Sequence, residues 1–297
     1  MDAPRIALFG ATGFIGSATL AALTSAGADC TAVARRPGSV TSSVQRVAGA
    51  DLTDPASLDA ALSGADVIVH AVSYTGTDPE QADAVNRAGT ENLVAAAHSR
   101  CVPLIYVSTI GVYGSGPHHG IVEGTLDPQP VSVLSASRFA AERSVLQHGG
   151  TVIRTGFVHG PGDRWFTPGL VYILARLGAW VDEGRSVLSL IDVGDLGRLL
   201  AALAMQVPPL VPGGVVLHAA HPEPRTVREI ATELAAGGTF TLPQGNLTFA
   251  EALSRAPELG LSERNIDLAG HDHHYDSTRI WEQTGLDIPP VRPLPAF

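Results

Sequence analysis

The chain has 297 residues, a formal net charge of −10 and a pI near 5.5, with 45% hydrophobic and 16% charged residues. This balance describes an ordered globular protein long enough for a sizeable core, and it excludes an intrinsically disordered chain. The acidic surplus argues against nucleic acid or an anionic membrane surface as partner.

All 19 basic residues are arginines; lysine does not occur. The abundance of Ala, Gly, Pro and Arg fits a high-GC coding bias, which accounts for arginine in place of lysine. No apolar run approaches the ~18 residues of a membrane helix. Met1–Arg5 leads directly into an apolar strand, so no signal peptide is expected and the cytoplasm is the default location. Cys30 and Cys101 fit neither a disulfide framework nor a zinc spacing, and both are expected as buried thiols.

In chain order, Ile6–Phe9 reads as a strand and Ile15–Ala26 as a helix. Cys30–Ala34 is a strand, and Pro55–Leu62 a short helix with Asp54 as N-cap. Val67–Ala71 is a strand, Asn86–Ser99 a helix, Leu104–Ser108 a strand, Ser135–Gln147 a helix and Thr151–Thr155 a strand. Short apolar strands alternating with helices predict an α/β fold, a Rossmann-type doubly wound parallel sheet. Beyond Gly160 the pattern becomes irregular, and Val187–Ile191 and Val215–His218 read as later strands that rejoin the sheet. The expected division is a dinucleotide-binding domain over 1–160, rejoined by 187–218. A smaller, discontinuous substrate domain takes 161–186 and 219–297.

Gly10-Ala11-Thr12-Gly13-Phe14-Ile15-Gly16 follows the first strand and opens the first helix. Glycines at this place allow a tight turn and bring backbone N–H groups to a pyrophosphate at the helix N-terminus. The second strand ends in Val33-Ala34-Arg35-Arg36, without the acid that usually holds a ribose 2′-hydroxyl. An arginine pair suits a 2′-phosphate through forked, charge-assisted contacts, so NADP(H) is expected over NAD(H). Asp51 and Leu52 are candidate adenine contacts.

The ordered segments GATGFIG (10–16), DLTD (51–54), VIVHAVS (67–73), NRAGTEN (86–92), YVSTIGVYG (106–114), AERSVL (141–146), HGPG (159–162), DVGDL (192–196) and TVREIA (226–231) resemble the extended short-chain dehydrogenase/reductases. The resemblance covers nearly the whole chain. It implies that Ala71, Val72, Ser73, Asn86 and Phe157 border the cofactor, and that Thr109 bonds the reacting oxygen of the substrate. It places Leu134 and Arg138 where the family has the tyrosine and lysine of a Tyr-x-x-x-Lys pair. Leu134 has no proton to give, and Arg138 stays protonated at any usable pH. Arg138 retains the capacity to hold the nicotinamide ribose; its alternative is a surface pair with Glu142.

A positioned acid contributes about 10²–10⁴ in rate. Without one, a ketone reduction keeps the hydride half of its chemistry and draws its proton from another residue, from water or from the substrate's own phenol. Thr109, Ser108, Tyr113, Tyr74 and His159 are the candidate donors, and Thr109, Ser108 and Arg138 the candidate catalytic residues. Tyr74, Thr109, Ile110, Tyr113, Leu134, His159, Trp165 and Phe166 are the candidate substrate contacts, with Tyr172 and Trp180 as packing aromatics. An aromatic-lined cleft suits a flat hydrophobic ligand.

These features together are similar to the atypical angucyclinone ketoreductases. That resemblance implies NADPH-dependent reduction of a ketone on a polycyclic aromatic polyketide during antibiotic tailoring; the alternative is a non-catalytic NADP(H) sensor. An epimerase or dehydratase is disfavoured, because those reactions begin with the tyrosine's proton removal. His271-Asp272-His273-His274 reads as a polar loop and no metal is expected. His118-His119 lie in a loop that could border the cleft, Asp192 and Asp195 cap a helix, and Arg225 and Arg228 open an exposed one. The resemblance also leaves room for a homodimer through the helices 86–99 and 135–147.

Overall fold

The protein is described by a computed structural model over residues 3–40, 46–238 and 240–294. Seven parallel strands form its centre: β1 (Arg5–Phe9), β2 (Asp29–Ala34), β3 (Arg46–Gly49), β4 (Val67–His70), β5 (Leu104–Thr109), β6 (Thr151–Thr155) and β7 (Val215–Ala219). Their order is β3-β2-β1-β4-β5-β6-β7, so the winding reverses between β1 and β4. The sheet is the doubly wound α/β arrangement read from the sequence.

The period-2 alternation of strand side chains sorts the core into two layers. Ile6 and Leu8 face a cluster shared with helices Phe14–Ser25, Val193–Met205 and Thr278–Thr284. Ala7 and Phe9 face the opposite cluster, closed by helices Pro55–Ala61, Gly89–His98 and Val133–Gln147. On the first face, Gly197 permits close helix packing: a Cβ there would lie 2.7 Å from the Ala18 carbonyl carbon. Helix starts follow local chemistry. Asp54 accepts from Ala56 N, Asp192 from Gly194 N, and Ser132 and Ser135 form a reciprocal capping box.

The second lobe gathers helices Phe166–Leu177, Val227–Ala236, Phe249–Arg255 and Glu263–Gly270 around two further apolar clusters. Four short strands, in the order Arg225–Thr226, Val187–Leu188, His273–Tyr275 and His118–Ile121, lie beside it.

Several expectations are corrected. The run 187–191 does not rejoin the main sheet; Leu190–Asp192 pairs instead with Phe157–His159, and only β7 returns, beside β6. Cys101 is exposed, at the C-terminal turn after helix Gly89–His98, with φ +52°, whereas Cys30 is buried and its thiol is pushed up to about 12 by burial. His273–Tyr275 is a strand with His273 and Tyr275 buried, not a polar loop. His118–Ile121 is its partner strand. Arg225 is mostly covered and pairs with Glu233 at 2.6 Å, and the Arg228 guanidinium lies 4.3 Å from the Trp180 ring centroid. No helix among the described residues is long and apolar enough to cross a membrane.

Candidate active site

The carboxyl ends of β1, β2 and β4 open into a groove of about 590 Å³, at the reversal point of the winding. Gly10 adopts φ +84°, and a Cβ there would meet the Ala71 carbonyl carbon at 2.8 Å. Gly16 lets helix Phe14–Ser25 settle on the turn, since its Cβ would fall 2.0 Å from Gly10 O. The helix begins at Gly13 without a side-chain cap, so its first-turn N–H groups, including those of Phe14 and Ile15, are left for a ligand. Cradle and uncapped helix fit a dinucleotide pyrophosphate.

Gly10, Thr12, Gly13, Arg35, Asp51, Leu52, Ala71, Val72, Ser73 and Tyr74 all line the groove. Arg35 and Arg36 are exposed at the end of β2, but only Arg35 is part of the lining. The Asp51 carboxylate accepts from Thr53 N (2.9 Å) and Thr53 Oγ1 (2.8 Å). These bonds, with a contribution from Arg35, hold its carboxyl below the usual range. Asp51 therefore braces its own turn at the edge of the groove.

Two candidate cofactor residues have other partners. Asn86 is buried and uses its whole amide: Oδ1 accepts from Tyr74 N (2.7 Å), while Nδ2 donates to Tyr74 O (3.1 Å) and Ser137 Oγ (3.0 Å). It pins the groove-lining loop to helix Val133–Gln147. Phe157 lies over the neighbouring cleft, its ring stacked on Phe166 at 4.9 Å.

Arg138 projects inward from its helix, and its Nε donates to Ser73 Oγ at 3.0 Å. It makes no ion pair among the described residues. Glu142, the surface partner considered for it, is itself fully buried, paired with Arg154 at 2.7 Å. Burial lowers the Arg138 guanidinium from its ordinary value, and the same burial, with the Arg138 charge, pushes His70 down to about 3. The arginine thus sets an unpaired positive charge behind Ser73, a residue of the groove lining.

A second cleft, of about 400 Å³, lies over the carboxyl ends of β5 and β6, the next strands in the sheet. Thr109 and Ile110 border it with Gly156, Phe157 and Trp165. Thr109 Oγ1 accepts from Gly111 N at 3.1 Å, which leaves its own proton free to donate to a ligand. Trp165 is 60% exposed at the mouth. Phe166 is buried behind Phe157 and does not line the cleft.

Other candidates are not free for chemistry. Ser108 Oγ donates to Glu142 Oε1 at 2.5 Å, inside the buried Glu142–Arg154 pair. Tyr113 is buried, and its hydroxyl donates to His218 Nε2 at 2.6 Å, because His218 Nδ1 faces the Asp276 carbonyl. His159 is buried outside the cleft, and its Nδ1 has no hydrogen-bond partner among the described residues. Leu134 is half-buried one turn before Arg138 and is not part of the cleft lining.

The opposite cleft wall comes from Arg264, Asn265, Asp267, His273 and Tyr275; of these the sequence singled out only His273, and as part of a polar loop. They belong to the tail, where no short motif announces them. They reach the cleft only because His273–Tyr275 pairs with His118–Ile121 across more than 150 positions. The cluster 271–274 was visible as a histidine run, but its direction was not.

Comparison with known proteins agrees with this architecture. Residues 6–209 match the NAD dependent epimerase/dehydratase family. A dTDP-4-dehydrorhamnose reductase of Mycolicibacterium smegmatis is 29% identical over 237 residues, which is 75% of this chain and 63% of that protein. A dTDP-6-deoxy-L-talose 4-dehydrogenase (NAD(P)(+)) of Kitasatospora kifunensis is 32% identical over 196 residues, 61% of this chain and 59% of that protein. Among solved structures, UDP-glucose 4-epimerase of Thermus thermophilus in complex with NAD superimposes with a TM-score of 0.72 at 20% identity, covering 97% of this chain and 95% of that one. The match over residues 6–209, which include the glycine turn and most of the central sheet, places the chain in the NAD dependent epimerase/dehydratase family.

Proposed function

We propose that the protein is an NADPH-dependent ketone reductase acting on a flat aromatic ketone, such as one on a polycyclic polyketide in antibiotic tailoring. The observation that carries it is the Thr109 hydroxyl, free to donate to a carbonyl oxygen in a cleft walled by Phe157, Trp165 and Tyr275. The cleft lies one strand from the cofactor groove. The named activities of the two bacterial relatives, a reductase and a dehydrogenase, support the reaction class.

When bound, the reduced nicotinamide supplies hydride. The residues that would hold the cofactor are the Gly10–Gly16 turn for the pyrophosphate, Arg35 with Arg36 for a 2′-phosphate, and Arg138 for ribose hydroxyls. Thr109 orients the ketone oxygen and stabilises the charge that grows on it. The aromatic wall excludes water from the reacting carbon.

A second reading has its own support. Arg264 at the cleft, together with the sugar-nucleotide names of the relatives, favours a nucleotide-linked keto sugar. The test is loss of reduced-nicotinamide absorbance with purified protein, NADPH or NADH, and a panel of phenol-bearing polycyclic ketones beside nucleotide-linked keto sugars. Alcohol formed only from the polycyclic ketones supports the first substrate class, and turnover only of the sugars replaces it with the second. Equal use of NADH refutes the arginine argument. Tight NADPH binding without turnover of any ketone turns the assignment to a non-catalytic NADP(H) sensor.

A further inference from the structure

We propose that His273, held by Asp267, donates the proton to the ketone oxygen. The proposal rests on the reductase reading and supplies the acid that Leu134 cannot be. Asp267 sits on helix Glu263–Gly270 with a buried carboxylate. One oxygen accepts from Gly116 N (3.0 Å) and His271 Nδ1 (2.9 Å), and the other lies 3.1 Å from His273 Nε2. An imidazole whose Nε2 faces a fixed carboxylate carries its proton there, and the carboxylate balances the charge of the ring when both nitrogens are protonated. The second nitrogen, Nδ1, makes no hydrogen bond among the described residues.

His273 and Asp267 line the same cleft as Thr109, and the edge of His273 packs against Phe157 with ring centroids 5.9 Å apart. A ketone seated against Thr109 therefore shares its cavity with one buried acid–imidazole pair. Tyr275, whose phenol is another possible donor on this wall, is bonded to His118 Nδ1 at 2.6 Å, and burial raises its phenol further from use.

The step balances without an additional reagent. A hydride supplied by a bound reduced nicotinamide would turn the C=O π pair into a lone pair on oxygen. That pair takes the proton from His273 Nδ1, so an N–H bond breaks as the O–H bond forms. His273 is left neutral, Asp267 remains a carboxylate, and water returns the proton after the alcohol leaves.

The titratable groups near this ring are Asp267 and Arg264 of helix Glu263–Gly270, His271 just after it, His118 and His119 of the paired strand, and Asp272, His274 and Tyr275 of its own segment. The test compares wild type, His273→Gln and Asp267→Asn with NADPH and whichever ketone turns over. His273→Gln is expected to lower kcat by about 10²–10³, leave NADPH affinity and ketone KM unchanged, and abolish the fall of kcat at alkaline pH. Added imidazole should restore part of the rate. Asp267→Asn should also lower kcat while leaving NADPH affinity unchanged, because the ring loses the carboxylate that fixes its Nε2 side.

Unchanged kcat and pH profile in His273→Gln overturn the proposal. If that variant does not fold, nitrogen-15 histidine NMR of the wild type decides. A His273 ring that stays neutral at the pH of maximal turnover overturns the proposal, and a ring that gains its proton as turnover rises supports it. Failure of the wild type to reduce any ketone is a different result: it overturns the reductase reading itself.

Discussion

Replacing Arg154 with Met tests how helix Val133–Gln147 is held against the sheet. Arg154 on β6 and Glu142 on helix Val133–Gln147 form an ion pair at 2.7 Å with side chains 6% and 0% exposed. The Arg154 guanidinium also lies 4.7 Å from the Tyr113 ring centroid, and Ser108 Oγ donates to the same carboxylate. Removing the arginine leaves Glu142 charged, fully buried and bonded only to a neutral hydroxyl. Breaking one side of a buried pair costs about 3–5 kcal/mol. With about 2.1 cal/mol/K of unfolding entropy per residue, a protein of this length changes by roughly 0.6 kcal/mol per degree near its midpoint, so Tm should fall by roughly 5–8 °C. The assay is thermal unfolding followed by circular dichroism, on the wild type, Arg154→Met, Glu142→Leu and the double variant. The double variant removes both charges and should recover most of the loss, giving a coupling of about 2 kcal/mol or more. NADPH affinity should persist throughout, since the groove is built on β1, β2 and β4. A single-variant loss under about 1 kcal/mol, or strictly additive losses in the cycle, would refute the buried-charge account.

Gly16→Ala should abolish NADPH binding in a fluorescence titration, because its Cβ would overlap Gly10 O at 2.0 Å and the helix must move off the turn; retained affinity would show that the turn has slack. Thr109→Val removes the donor for the ketone oxygen and should lower kcat/KM by about 10–100-fold with NADPH binding intact; equal kinetics would remove Thr109 from the chemistry. Arg35→Ser with Arg36→Ser should weaken NADPH by about 10-fold or more while sparing NADH, as read by the ratio of their Kd values. Acid should destabilise the fold through His70, whose ring is buried and neutral. Its pKa is depressed to about 3, so its stabilising contribution is complete above the unfolded value near 6.5 and is lost as pH falls toward 3, by about 1.4 kcal/mol per pH unit. In His70→Asn the decline of Tm over that window should be shallower, and an unchanged slope would sink the assignment.

The sequence by itself determined the central sheet and the glycine turn at the end of its first strand. Strands such as Val67–His70 and Thr151–Thr155 are short apolar runs between helix patterns, and buried parallel strands need that composition. Gly10 and Gly16 declare their turn, the first by its positive φ and its approach to Ala71, the second by its approach to Gly10 O, which leave no room for a Cβ; that constraint is written in nearby residues. The side-chain assignments that depended on direction did not follow from spacing. Ser108 and Thr109 are neighbours, yet strand alternation turns one into the Glu142–Arg154 pair and the other to the cleft. Asn86 and Tyr113 were legible as polar or aromatic residues near the site, but their bonds to Tyr74 and His218 fix them as framework. The far wall was decided only in three dimensions. Asp267, His273 and Tyr275 face Thr109 because strand His273–Tyr275 docks beside His118–Ile121, a pairing between segments with no local signal for each other. Local geometry is encoded in adjacent residues, whereas the meeting of distant segments is settled by how the whole chain buries its apolar surface.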